Sequence, residues 1–230
     1  MRRELAVVPV LAAAFALWTL RPQPRVPEAA LMWVLSNGPP PAPLVGEPVQ
    51  DDDPDTALWL AVFTGPGAPL FDAWRARLVE VGPTLERALS DAGLGAEWLA
   101  LPMIESGLRI DAVSRSGAVG VWQLTPILAG DLGLRAVPDD RRDLELSSRA
   151  AAGWLARLVR HYGDDLALVA YNAGPGATDE VIARAGSRDL AAVKPYLRPE
   201  ARHFVAKVRA AQRLLQDAGE PLEHGPKIAR

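Results

Sequence analysis

The hydrophobic pattern divides the chain into three stretches. Arg2 and Arg3 precede an apolar run from Leu5 to Leu20, interrupted only by Pro9 and Thr19. A basic start followed by such a run predicts a secretory signal or a short uncleaved membrane anchor over residues 1–20. The run is slightly shorter than a bilayer span usually needs, but no small-x-small cleavage motif follows Leu20, which favours the anchor. Residues 21–54 are punctuated by Pro22, Pro24, Pro27, Pro39, Pro40, Pro41, Pro43, Pro48 and Pro54. Proline fixes φ and removes amide donors, so this stretch predicts an extended linker. It is broken by the apolar patch Leu31 to Leu35 and ends at the acidic run Asp51–Asp53.

From Ala57 onward, within a predicted domain at 55–230, the apolar spacing is helical. Leu70, Phe71, Trp74, Leu78 and Val79 share one face, and Thr84 to Leu89 predicts a further short helix ended by Gly93-Leu-Gly95. Another helical stretch runs from Glu97 to Glu105. Thr125-Pro126 predicts an N-cap with proline at the first helical position, and Ser147 is a candidate cap for the next helix. That helix carries the stripe Ala151, Trp154, Leu155, Leu158, Val159 and Tyr162. Gly163-Asp164 predicts a break before a helix reaching Ala173, and a last amphipathic helix covers about Pro199 to Leu215. No alternating run is long enough for a sheet and no repeat is present. The expected class is all-α.

Composition narrows the function. Hydrophobic residues are 49% and charged residues 23% of the 230 residues, as in a globular chain. The formal net charge of −3 lacks the basic excess of a nucleic-acid binder. From Arg141 onward the balance turns mildly basic, 15 against 11, which suits a polyanionic polymer and equally a solvated helix surface. Without cysteine there is no disulfide, thiolate nucleophile, Cys-ligated zinc or lipid-anchored cysteine. His161, His203 and His224 show no metal-ligand spacing, so neither a metal nor another cofactor is expected.

Three segments carry candidate chemistry. Glu105 ends the apolar stretch Trp98-Leu-Ala-Leu-Pro-Met-Ile, where desolvation would raise its pKa and let it hold a proton near neutrality. Taken alone, the position is more simply a helix-capping or solvent-facing glutamate. Ser116-Gly-Ala-Val-Gly120 is a small-residue turn through which backbone can approach a ligand, followed by Trp122 and Gln123, whose ring and amide suit sugars. The bland alternative is an interhelical turn with a core tryptophan. Tyr171 and Asn172 precede Gly174-Pro175-Gly176; the phenol can hydrogen-bond a carboxylate or simply be buried at a helix end.

Taken in order, Glu105-Ser106, Ser114-x-x-Gly117-Ala118-x-Gly120-x-x-Gln123 and Ala170-Tyr171-Asn172-Ala173-Gly174 resemble the catalytic domain of family 1 lytic transglycosylases. The resemblance continues through Arg141-Arg142-Asp143, Tyr162-Gly163-Asp164 and Pro199-Glu200, and covers roughly residues 70–215. The segment from Ala92 to Glu105 looks most like the membrane-bound type D subgroup, although no LysM repeat follows. The resemblance implies a goose-type-lysozyme-like fold and a periplasmic enzyme, held at the inner membrane by its N-terminal segment, that acts on peptidoglycan glycan strands. It implies Glu105 as the sole acid and base, cleaving between MurNAc and GlcNAc to leave a 1,6-anhydro-MurNAc end. Ser114, Gln123 and Tyr171 would orient Glu105 or the sugar, with Asn172 and Glu200 on the cleft wall and Ser106 supporting the helix end. Two positions depart from the family: Thr125 stands where methionine is frequent, and Phe204 where a tyrosine is frequent. A lysozyme-like hydrolase and a non-catalytic wall-binding scaffold are the competing readings; no clear second carboxylate supports the first, and intact Glu105, Gln123 and Tyr171 oppose the second.

Overall fold

The computed structural model of the chain describes Asp51 and residues 53–217. The leader or anchor, the patch Leu31 to Leu35 and nearly all of the linker lie outside them. Among the described residues no helix is long and apolar enough to cross a membrane.

The described body is helical, as the periodicity predicts. Helix α1 (Pro54–Thr64) starts where Asp53 accepts from the amide of Asp55 and Pro54 takes the first turn. Helix α2 (Ala68–Asp91) is followed, after a 3-10 turn at Ala96–Leu99, by the short α3 (Ala100–Ser106). Helix α4 (Pro126–Asp131) precedes α5 (Leu144–Tyr162), α6 (Asp164–Ala173), α7 (Pro175–Ala185) and the single turn α8 (Leu190–Val193). Helix α9 (Pro199–Asp217) closes the body, packing on α1, α3 and α6, while α2 packs on α5. An aromatic cluster locks α1 to α2: Phe63 lies 5.4 Å from Phe71 and 5.7 Å from Trp74 between ring centroids. The expectation of no sheet agrees with the two isolated bridges that pair Val113 with Val119 and Val119 with Leu124.

Three local readings are corrected. Thr84 to Leu89 is the last part of α2 rather than a helix of its own, because Pro83 is accommodated inside the helix. Both Pro83 and Val79, whose carbonyl loses its partner, face outward, so solvent can satisfy the orphaned group. The cap of α5 is Asp143, which accepts from the amide of Leu146 at 2.9 Å. Ser147 is buried inside the helix and donates to the Asp143 carbonyl at 2.6 Å. The Gly174-Pro175-Gly176 break is also a start: Gly174 takes φ 88° and Pro175 opens α7.

Charged residues tie the two ends of this body together. Lys194 pairs with Asp53 and Asp55, and Arg202 on α9 reaches Asp55 at 2.7 Å. Burial alone would raise the Asp55 carboxyl, but the combined pull of Arg202 and Lys194 outweighs it and holds it below its ordinary value. A depressed folded-state pKa contributes stability above the unfolded value that is lost as pH falls through the folded one. Asp55→Asn is therefore expected to lose about 1–2 kcal/mol at pH 7, with the deficit shrinking toward pH 3, read by urea denaturation at both pH values.

Candidate active site

Helix α3 is enclosed by the body, and one residue breaks that enclosure. From Trp98 to Leu108 every residue is buried except Glu105, which keeps part of its surface accessible. The helix ends at Gly107, whose φ of 61° is left-handed and whose missing Cβ would lie 2.5 Å from the Trp74 Nε1. Ser106 supports this end, as expected. Its hydroxyl lies 2.8 Å from the Val121 carbonyl and 3.2 Å from that of Pro102, and accepts from the Arg109 amide at 3.2 Å. The end of α3 is thereby stitched to the loop at 112–124.

That loop is a compact double turn. Ser114 Oγ accepts from the Ala118 amide at 2.9 Å and shares a hydrogen bond with Ser116 Oγ at 2.9 Å. Val119 and Leu124 exchange two backbone bonds of 3.1 Å. Gly120 has φ 82°, and a Cβ there would lie 2.1 Å from the Arg141 carbonyl oxygen. The close approach expected of this small-residue turn is thus an approach to the chain itself. Arg141 donates to the carbonyls of Gly117 at 2.9 Å and Leu124 at 3.2 Å, while Asp139 holds its guanidinium from the other side.

Trp122 is fully buried and its indole donates to Ser148 Oγ at 2.9 Å, so the ring is a core element rather than a platform for sugars. The next residue turns the other way. Gln123 has φ 49°, an uncommon conformation for a residue with a side chain, and is half-buried. Its amide nitrogen donates to the Gly120 carbonyl at 2.9 Å, with that of Ala112 at 3.5 Å. Thr125 caps α4, accepting from the Leu128 amide at 3.3 Å as its sequence predicts.

Tyr171 comes in from α6 and donates its phenolic proton to the Trp122 carbonyl at 2.9 Å. The bond to a carboxylate anticipated for this phenol goes instead to the loop backbone. Burial, with the nearby charge of Glu105 adding to it, pushes the Tyr171 phenol well above its ordinary value and keeps it a neutral donor. Asn172 follows on the same helix and is half-buried. Glu200 stands exposed on the first turn of α9, and its electrostatic effect is felt at His203. The structure therefore brings Glu105, Gln123 and Tyr171 into one neighbourhood, with Ser114 bracing the loop, and leaves Glu200 at the rim of another helix.

Burial raises the Glu105 carboxyl to about 8, against the opposing pull of Lys207. At neutral pH it is mostly a protonated acid. Lys207 is a residue the motif reading missed. It lies on α9 with no exposed surface, its ammonium 4.7 Å from the centre of the Trp59 ring. A sequence signal existed: it interrupts the apolar stripe of Phe204, Val208 and Ala211 on an otherwise amphipathic helix. A depression of about 610 Å³ elsewhere is lined by Asp53, Lys194, Arg209 and Arg213 and contains none of these groups.

Gly120→Ala is expected to destabilise the protein by at least about 2 kcal/mol, measured by chemical denaturation; an unchanged midpoint would show that the loop can yield. A second outcome follows from Glu105. A carboxyl with a raised folded pKa favours folding below its unfolded value of 4.5, and that contribution is lost as pH rises through about 8. Glu105→Gln should consequently raise Tm by about 3 °C or more at pH 9 and by much less at pH 5, read by thermal melts at both.

Comparison with known proteins bears on this arrangement. Residues 86–193 match the family model described as Transglycosylase SLT domain. Membrane-bound lytic murein transglycosylase D of Escherichia coli (strain K12) is 32% identical over 130 residues, covering 53% of this chain and 28% of that protein. A putative tributyltin chloride resistance protein of Alteromonas sp. (strain M-1) is 36% identical over 87 residues, covering 36% of this chain and 42% of that one. The chain thus spans less than half the length of these curated relatives. In fold, it is similar to the 70 kDa soluble lytic transglycosylase of E. coli, with a TM-score of 0.58 and 22% identity over 70% of this chain and 28% of that one. It is also similar to an inactive glutamate-to-glutamine mutant of lytic transglycosylase Slt from Pseudomonas aeruginosa, with a TM-score of 0.54 and 22% identity over 72% of this chain and 31% of that one. Residues 86–193 are thus similar in sequence to the transglycosylase SLT domain, and the described body shares its fold with these lytic transglycosylases.

Proposed function

We propose that the chain is a peptidoglycan lytic transglycosylase in which Glu105 is the sole acid and base. The observation that carries this reading is the setting of Glu105: a carboxyl with accessible surface in an otherwise buried helix, its pKa raised by burial to about 8. A glutamic acid of that proton affinity can protonate a glycosidic oxygen at neutral pH. The charged group acting on it is the amine of Lys207, not a second carboxylate. Asp111, the nearest acid in sequence on the C-terminal side, is exposed and paired with Arg109 at 3.4 Å. Glycosidases that deliver water or form a covalent intermediate use two carboxyl groups; an intramolecular nucleophile removes that need.

The reaction then has two proton transfers. The Glu105 proton moves to the oxygen joining MurNAc C1 to GlcNAc as that bond breaks, leaving a carboxylate. The carboxylate takes the proton of the MurNAc 6-hydroxyl as O6 bonds to C1. The acid is regenerated, no water is consumed, and the strand ends in 1,6-anhydro-MurNAc. Gln123 and Ser114 would hold the loop and the sugar in register, and Tyr171 would fix the Trp122 carbonyl beneath them. Asn172 and Glu200 would line the cleft wall. Residues 1–20 would hold the enzyme at the inner membrane, facing the periplasm, with the proline-rich linker giving the domain reach toward the wall.

Incubation of the full-length chain with purified sacculi, followed by mass spectrometry of soluble muropeptides, tests the reading. The expected products are about 18 Da lighter than reducing muropeptides, and Glu105→Gln abolishes them. Reducing ends would identify a hydrolase. Binding without release would identify a wall-binding scaffold.

A further inference from the structure

Lys207 is a charged side chain that the proposed reaction leaves without a task. Taking an ammonium group out of water is costly unless something repays it. Lys207 has no exposed surface and is among the largest fully buried side chains of the described body. One face of its ammonium is covered by the Trp59 ring from α1, with Nζ 4.7 Å from the ring centre, a cation–π arrangement. Its helix, α9, also packs directly on α3, the helix of Glu105. The carboxyl group whose charge acts on Lys207 is Glu105, and the effect is mutual. Other titratable groups in this neighbourhood are Tyr171 from α6, which senses Glu105, and His203 on α9, which senses Lys207.

We propose that Lys207 is a positioning residue for Glu105: its ammonium, enclosed beneath Trp59, is the counter-charge against which the Glu105 carboxylate forms as the acid gives up its proton. The inference rests on the reading of Glu105 as the acid and base. In a site of low polarity a nascent carboxylate without a cation would be strongly disfavoured, and the acid would be too weak to cleave a glycoside. A permanently charged neighbour at close range would do the opposite and leave the group ionised at rest. Lys207 sits between these limits. Burial lowers its amine to about 7 while Glu105 raises it, and the carboxyl lies at about 8, so the two groups hold their protons with similar strength and titrate as a coupled pair. The pair can carry a carboxylate and an ammonium together, or a neutral acid and a neutral amine, without a change in net charge. Phe204, one turn earlier on α9, is buried and has no hydroxyl to offer the carboxyl, so the cationic partner on this helix is Lys207.

Two measurements test this on the full-length chain. In the first, anhydromuropeptide release is followed against pH for wild type, Lys207→Met, Lys207→Arg and Glu105→Gln. The wild-type rate should fall as pH rises through about 8. Lys207→Met should lower the maximal rate at least about tenfold and move that alkaline limb up by about one pH unit, since loss of the cation makes Glu105 a weaker acid. Lys207→Arg keeps a cation that does not give up its proton, and should move the limb to lower pH than in wild type. An unmoved limb and unchanged rate in Lys207→Met, with Glu105→Gln inactive, would overturn the role of Lys207 alone; an active Glu105→Gln would overturn the reading on which it rests. The second measurement does not require Lys207→Met to fold. Lysine 13Cε resonances are titrated in wild type and Glu105→Gln, the chain having lysines at 194, 207 and 227. The Lys207 signal should titrate near neutrality in wild type and at distinctly lower pH once the carboxylate is removed. Identical titrations in the two proteins would overturn the coupling.

Discussion

A carboxyl group held among apolar side chains pulls against the packing that encloses it. Ionising Glu105 inside this body is costly, and the surrounding elements are arranged so that it is enclosed yet keeps accessible surface. Helix α3 is too short to be stable by itself. It is held by burial on every side except at Glu105, by the Gly107 cap against Trp74, and by Ser106 bonded across to Val121. Enclosure raises the proton affinity of the carboxyl, which keeps accessible surface at that one position.

The loop at 112–124 depends on the same enclosure. It contains almost no regular structure, so its polar backbone must be satisfied by specific partners. Arg141 takes two of its carbonyls, Tyr171 a third, Gln123 a fourth, and Ser114 one of its amides. Gly120 lets the chain pass against Arg141, and Trp122 anchors the loop in the core through Ser148. Several residues that look like ligand-binding groups are therefore first of all the framework of the loop. The loop is thereby preorganised next to the end of α3 that carries Glu105.

Much of the fold was legible from apolar spacing. The stripes of α5 and α9, the Thr125 cap and the Gly163 break all appear where local rules place them, because each depends on residues within one or two turns. The misread positions are those where local rules conflict. Pro83 signals a break, yet packing on α5 carries α2 through it. Ser147 and Asp143 are both competent caps, and the choice fell to Asp143 because its carboxylate accepts from Leu146 while Ser147 turns inward. In the candidate site, Glu105 and Gln123 were singled out by motif order. The destination of the Tyr171 proton and the burial of Trp122 were not, since both are set by partners distant in the chain: Trp122 lies 49 residues from Tyr171 and 26 from Ser148.

By itself, the amino-acid sequence determined the helical class, the positions of most helix ends, the order of the motifs and the candidate acid. These follow from periodicity, capping and residue type, which act locally. Only the tertiary structure decided which hydroxyls and amides serve the loop rather than a ligand, how strongly Glu105 holds its proton, and that Lys207 shares its environment. Proton affinity in a protein interior depends on what has been excluded from around the group and on which charge lies across from it. Both are properties of helices brought together from opposite ends of the chain.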